Sequence, residues 1–254
     1  FIMTFGLACY HLYFMVILLV FYLTHPLWRW LMAFMLRTSL TAGMTILAVL
    51  QLVLYYYSSH NHINPDSWLP FLKNLYVFRL NYIPLYYLFI YMLGGIFALY
   101  WDKTKAFLQE KFWLIVGLYL ASIAYIEGSA YYSFKYENYD LLSLAFTYHQ
   151  LCPQGLAYTV ASIFFFCAIM LRCEGSIFNK AVQLLTKYSM LMYFIHPLFL
   201  DIMTRYFTNH GIILTVKKVA LAYWVLVLIS LVASIILTKL FAKIKPLKLL
   251  FTGK

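Results

Sequence analysis

A histidine followed by a proline, His196-Pro197, lies inside the apolar run from 188 to 204, about nine residues or roughly 13 Å of helix beyond Lys187. An ionisable side chain at that depth in hydrocarbon costs several kcal/mol, so its presence calls for a reason. Imidazole titrates near neutrality, which suits a general base or a proton carrier. It also suits a structural task, hydrogen bonding to backbone carbonyls that Pro197 leaves without a donor, that of residue 193 first among them. His11, in the segment Tyr10-His11-Leu12-Tyr13-Phe14, stands at the start of the first apolar run. There it either touches a substrate hydroxyl or bonds headgroups as an interfacial residue. His25-Pro26 repeats the pairing at the other end of that run and reads as a helix terminus with its anchor, while Arg29 and Arg37 just beyond it suit the phosphates of an anionic cytoplasmic ligand.

The remaining polar residues read more simply. Arg79 suits an acidic substrate or snorkels to headgroups, and Asp201 and Arg205, one turn apart, can pair with each other. His60, His62 and Asp66 lack the further ligands of a metal site, so no metal is expected. The four cysteines, Cys9, Cys152, Cys167 and Cys173, have neither CxxC spacing nor clustering and read as free thiols. Cys152, in a loop, should be open to a thiol reagent.

Placing these residues requires elements that only a bilayer can solvate. The chain has 254 residues, of which 65% are hydrophobic and 11% charged, far below the charge that a water-soluble surface needs. Seven runs are long and apolar enough to span, near 8 to 27, 40 to 57, 82 to 100, 112 to 130, 155 to 171, 188 to 204 and 219 to 238. They are continuously apolar rather than alternating, which excludes a membrane β-barrel and predicts an all-α, polytopic transmembrane helix bundle, one membrane domain over 1–254. Tyr and Trp collect at the run ends, as in Trp28 and Trp30 or Tyr55 to Tyr57, the pattern of an interfacial belt.

The net charge of +11 concerns topology rather than nucleic acid, because the cations are spread over the breaks between runs. Alternate segments divide the 19 Lys and Arg unevenly: 28 to 39, 101 to 111, 172 to 187 and 239 to 254 hold 13, and the intervening set holds 6. The richer set is expected to be cytoplasmic, with the carboxy terminus inside and 58 to 81 and 131 to 154 outside. An odd number of runs then leaves Phe1 outside without a signal to carry it there, so an odd number of further spans is expected upstream. No mid-membrane Lys in the last run can form a retinal Schiff base, and no Asn-Pro-x-x-Tyr marks a G-protein-coupled receptor.

Three segments, in order, resemble the membrane acyltransferase 3 family. YHLYFMVILLVFYLTHPL from Tyr10 is similar to a family segment with His-Leu-Trp-Phe-Leu, an apolar stretch, Phe-Tyr-Leu and Pro. YIPLYYLFIYMLGGIFALYWDK from Tyr82 resembles a span ending in a Gly-Gly signature before a charged turn, and YSMLMYFIHPLFLD from Tyr188 resembles the penultimate span with its Tyr-Leu-Ile-His-Pro. The exopolysaccharide, intercellular adhesion branch is the most similar.

The resemblance implies an enzyme of about ten spans, three of them upstream of this chain, the first with an Arg and a catalytic His. It implies transfer of an acetyl or succinyl group from a cytoplasmic acyl-CoA to a hydroxyl of a cell-surface polysaccharide or glycoconjugate. His11 and His196 are then the candidate catalytic residues and Arg29 and Arg37 the candidate contacts for the coenzyme A phosphates. Expected partners are membrane lipids, the glycan acceptor and polysaccharide synthase components. The other class to weigh is a transporter or flippase for a polysaccharide or lipid-linked sugar, against which stands the lack of matching halves with broken helices.

Overall fold

The structure is a computed structural model that describes residues 13–60, 84–140, 143–144, 147–212 and 215–241. Among these residues it is all helical, with no strand. The chain divides into two compact units, Phe1–Arg172 and Cys173–Lys254.

The first unit begins with α1 (Tyr13–Leu23) and α2 (His25–Arg37), which meet at a 65° bend. Pro26 makes the bend, since it offers no N–H to the turn before it and its ring crowds that turn. Thr24 repairs the break: its hydroxyl donates to the Val20 carbonyl at 2.6 Å and accepts from Trp28 Nε1 at 2.7 Å. The next helix, α3 (Leu40–His60), returns across the unit, and Gly43 lets it approach α2, because a Cβ there would lie 2.7 Å from Met35 Sδ.

After α3 the described chain resumes with a 3-10 turn at Pro84–Tyr87, which leads into α4 (Leu88–Leu99). This start is held by α3. Gln51 Nε2 donates to the Tyr86 carbonyl at 2.7 Å, Tyr55 Oη donates to the same oxygen at 2.5 Å, and Gln51 Oε1 accepts from the Phe89 N–H at 3.5 Å. Both Gln51 and Tyr55 are buried. The N–H groups at a helix start have no partner in their own helix, and in hydrocarbon no water replaces one; Gln51 Oε1 serves one of them, while the Tyr86 carbonyl, at the junction of the 3-10 turn and α4, takes two side-chain donors.

At Tyr100 the chain turns by 98° into α5 (Trp101–Glu110). Its charged residues Asp102, Lys103, Lys105 and Glu110 make it an amphipathic helix rather than the plain loop expected between runs. Leu108 anchors it, fully buried against Ile115 of α6 (Phe112–Tyr136) and Ala168 of α7 (Pro153–Arg172). The guanidinium of Arg172 lies 3.9 Å over the Phe112 ring, so Arg172 and the Lys-rich segment 101 to 111 share one end of this unit. Outward-facing Trp113 and Leu120 are each more than half exposed, as hydrocarbon-facing positions should be.

The segment 131 to 154 departs from the expectation of an open loop. Residues 131 to 136 complete α6, and Leu151 and Cys152 turn inward with only 1% exposure each. Cys152 Sγ accepts the Gly155 N–H at 3.2 Å, and His149 Nδ1 accepts the Leu151 N–H at 2.9 Å. Gly155 is required, since a Cβ would stand 2.6 Å from the His149 carbonyl oxygen. Burial raises the Cys152 thiol pKa and lowers that of His149. The accessible thiol expected from the sequence is therefore a protected one.

The second unit is a helical hairpin of α8 (Ile177–Asn209) and α9 (Val216–Phe241). Ser176 caps α8 by accepting the Asn179 N–H at 3.1 Å, and Asp201 pairs with Arg205 at 2.9 Å as their spacing suggested. Among the described residues four helices, α3, α6, α7 and α9, are long and apolar enough to cross a membrane, or up to six spans if each bent pair crosses once. The sixth expected run, 188 to 204, is helical within α8, but His196, Asp201 and the neighbouring Arg205 dilute its apolar character.

Two outcomes follow from the buried contacts. Replacing Gln51 by Leu removes a buried donor and acceptor together and should cost about 1–3 kcal/mol, read as a lower thermal midpoint in detergent, with Gln51→Leu/Tyr55→Phe lower than either single variant. His149 is held neutral, so its contribution is intact above the ordinary histidine value of 6.5 and is lost as pH falls through and below it. Labelling of Cys152 by a thiol-disulfide reagent, expressed relative to a free thiol at the same pH to remove the thiolate dependence, should be slow at neutral pH and rise on acidification, and should stay flat with pH in His149→Asn, which accepts a hydrogen bond without titrating.

Candidate functional site

The bend between α1 and α2 does more than turn the chain. It presents His25 and Arg29, the first turns of α2, toward the second half of α4, and the space between them is a cavity of about 680 Å³. Its walls include Trp28 and Met32 from α2 and Tyr91, Gly94 and Gly95 from α4. The floor is apolar: Ile17, Phe21, Trp28, Leu88 and Met92 form a buried cluster beneath it.

Within the cavity His25 Nδ1 and the Tyr91 hydroxyl are 3.0 Å apart. The Tyr91 ring is stacked on Phe21 with centroids 4.3 Å apart and planes 12° from parallel, so its hydroxyl is held in place from α1 as well as from α4. In the tautomer whose Nδ1–H donates to Tyr91, Nε2 of His25 keeps a lone pair for a proton. That is a base with an orienting partner, the arrangement general-base chemistry needs. The two glycines give the cavity its width. A Cβ on Gly94 would meet nothing within 4 Å, and one on Gly95 would press on Met32 Cε at 3.1 Å, so Gly95 sets how closely α4 approaches α2 and Gly94 leaves room.

Arg29 lines this cavity; Arg37, two turns on, does not, and sits at the last turn of α2 where a cation also favours the helix dipole. Among the described residues neither guanidinium has a hydrogen-bond or ion-pair partner. The two stand about 12 Å apart along the helix. His11 lies outside the described residues, as do Arg79, His62 and Asp66. Among the described residues no group of His, Cys, Asp and Glu could hold a metal.

His196 belongs to the second unit. It lines a groove of about 570 Å³ with Thr186, Ser189 and Tyr193 of α8 and Tyr223 and Ser230 of α9. Its Nδ1 lies 3.2 Å from the Met192 carbonyl, so Nδ1 carries the proton and donates. This is backbone bonding of the kind that Pro197 suggested, although the carbonyl is that of residue 192 and not 193.

A family described as an acyltransferase domain matches residues 1–242 of the chain. The chain belongs to the acyltransferase 3 family. It is accordingly a multi-pass membrane acyltransferase, and the first two segments that resembled the family contribute His25 and Tyr91 to the cavity between α2 and α4. No curated protein and no solved structure matches it.

The cavity between α2 and α4 thus contains a residue whose role sequence reasoning set aside. His25 was read as a helix anchor because Pro26 follows it and Arg29 is near. Its partner Tyr91 is 66 residues away, and no spacing rule connects the two. The available signal was that both lie inside family-like segments.

Tyr91→Phe keeps the stacking on Phe21 and removes the hydroxyl from His25. In the acyltransferase it should lower kcat, with donor KM nearly unchanged. A kcat identical to wild type would assign His25 to anchoring alone.

Proposed function

We propose that this protein is an O-acyltransferase that moves a short acyl group, acetyl or succinyl, from cytoplasmic acyl-CoA to a hydroxyl of a cell-surface polysaccharide or glycoconjugate. The observation that carries the reading is the joining of Arg29, His25 and Tyr91 in one cavity on α2 and α4. The positive-inside bias supports a cell-membrane orientation with that end, the 101 to 111 segment and the carboxy terminus in the cytoplasm. A donor made in the cytoplasm is then met at the correct face.

The residues suit coenzyme A. Its phosphates lie on both sides of the adenosine ribose, and two unpartnered guanidiniums on one helix offer two phosphate contacts. When bound, the thioester supplies an activated acyl carbon. Arg29 and Arg37 hold the phosphates, Trp28 and Met32 wall the entry, and Gly94 leaves space for the chain between phosphate and thioester. His25 Nε2 accepts the proton of an attacking hydroxyl, and Tyr91 fixes the ring. His196 and His11 are assigned to the acceptor path, His196 through the Met192 bond that sets its Nε2 as the proton-accepting nitrogen. The exopolysaccharide branch supports a biofilm polysaccharide as the acceptor and the polysaccharide synthase components as neighbours.

Two sets of variants test this in the full-length enzyme. Arg29→Ala should raise donor KM about tenfold or more, as expected for a lost charge-assisted phosphate contact of roughly 1.5–3 kcal/mol, with a smaller rise for Arg37→Ala and little change in kcat. His196→Ala should reduce acyl groups on surface polysaccharide. His196→Gln should do the same if the residue carries a proton and should recover activity if it only bonds the backbone. Loss of polymer export with acylation per sugar unchanged would instead favour a transporter. For orientation, Glu137→Cys in a background without other cysteines should be labelled by an impermeant thiol reagent in intact cells. Labelling only after permeabilisation would invert the topology.

A further inference from the structure

A second cavity of the first unit lies among α3, α4, α5, α6 and α7 and measures about 620 Å³. It is separated from the first by α4, which turns Phe89 toward this one and Tyr91 toward the other. Leu114, Leu118 and Ala121 of α6 and Ala157, Ala161 and Phe164 of α7 line it. Ser122 also faces it, but its hydroxyl is committed to the Tyr119 carbonyl at 2.7 Å. From Leu114 to Tyr125 the chamber follows α6 for about 16 Å. The wall therefore offers a hydrocarbon chain contact along that length and hydrogen bonds only at the Tyr125 end.

At Tyr125 the character of the wall changes. Tyr125 also lines a third cavity, of about 400 Å³, with Ser129, Ser133, Glu137, Tyr148 and Gln154. Ser133 Oγ and Tyr148 Oη lie 2.7 Å apart and tie the loop to α6 at this point. The lining contains hydroxyls, an amide and one carboxylate, and among the described residues it contains no Lys or Arg. Lys135, the nearest cation in sequence, is turned to the rings of Tyr131 and Tyr136, at 5.7 and 5.3 Å. An anionic phosphate head would meet Glu137 without a counter-charge, whereas a neutral polyhydroxyl head finds donors, acceptors and tyrosine faces.

We propose that the two cavities together form one amphiphile site, an alkyl slot continuous at Tyr125 with a glycosyl pocket, and that its ligand is a sugar carried on a lipid chain. This rests on the reading above of a glycan acceptor and narrows it: the acceptor is held by its lipid anchor, with the sugar drawn below the surface between α6 and α7. The size of the apolar slot favours a chain, and a polar pocket whose described residues bring Glu137 and no cation favours a neutral head.

The test uses the full-length protein in a polyoxyethylene detergent, with a dodecyl glucoside bearing a diazirine at the chain end as the photoaffinity probe. Crosslinks should map to 114–125 and 156–164. Unlabelled dodecyl glucoside should compete at least about tenfold better than dodecyl phosphate or dodecyl trimethylammonium, and free glucose should not compete. Ala161→Trp and Leu118→Trp, each of which fills the slot, should lower labelling severalfold while the thermal midpoint of at least one stays near wild type. Labelling spread over all lipid-facing helices, equal competition by the phosphate or the ammonium amphiphile, or full labelling of both Trp variants overturns the proposal. An acylation assay in parallel keeps the two readings apart. Specific labelling without acylation of any glycan removes the acceptor reading and leaves the amphiphile site standing. Equal acylation of a soluble oligosaccharide and its lipid-anchored form, unaffected by the Trp variants, removes the anchor and leaves the acyltransferase.

Discussion

The Tyr86 carbonyl, gripped by Gln51 and Tyr55, is the contact on which the first unit depends. A helix that starts within hydrocarbon exposes N–H groups that only protein can satisfy. Here α3 serves the Phe89 N–H through Gln51 Oε1 and, in the same grip, gives two donors to the Tyr86 carbonyl where the 3-10 turn passes into α4. The grip fixes the register and direction of α4 at its first turn. Tyr91 follows five residues later, and with it the hydroxyl that meets His25. Without a fixed start, α4 could slide by a residue and turn Tyr91 about 100° away from the cavity.

The opposite wall is built by a break of a different kind. Pro26 bends α1 away from α2, and Thr24 closes the gap with one hydroxyl that both donates and accepts. The bend is rigid because Trp28, which bonds Thr24, is itself buried in the cluster with Phe21 and Met92. So the same aromatic that stabilises the bend carries the cavity wall, and the same Phe21 that packs on Trp28 stacks on Tyr91. Position in this site comes from packing around two helix irregularities, not from long polar networks. In a membrane that economy is expected, since each buried polar group needs a partner of its own.

The sequence made the architecture legible because the bilayer imposes so few solutions. Long apolar runs, aromatic ends and the Lys and Arg bias marked helices and their alternation, and the shared end of 101 to 111 and Arg172 follows that alternation. Less legible were the helices that do not run straight. Asp102 to Glu110 read as a loop because charge was taken as a break, when its pattern leaves Leu108 free to anchor an amphipathic helix. Cys152 read as open because it lies in a loop, while Gly155 and His149 fold that loop inward. At the site, Arg29 was legible from its charge beside an apolar run. His25 was not, because its meaning depends on Tyr91, and a contact between two helices leaves no local spacing in the chain. His196 could be flagged but not resolved, since imidazole serves a proton or a carbonyl equally well.

The central claim is that the cavity between α2 and α4 receives the acyl donor. Gly94 gives direct access to it, because a side chain there points into open space. In a full-length protein with its other cysteines replaced, Gly94→Cys should react readily with a small thiol reagent. Acetyl-CoA should protect it in a saturable manner, desulfo-CoA should protect it as well, and pantetheine, which lacks the phosphates that Arg29 holds, should not. Reaction of Gly94→Cys at the same rate with and without saturating acetyl-CoA, in protein that still acylates, would place the donor elsewhere and contradict the account.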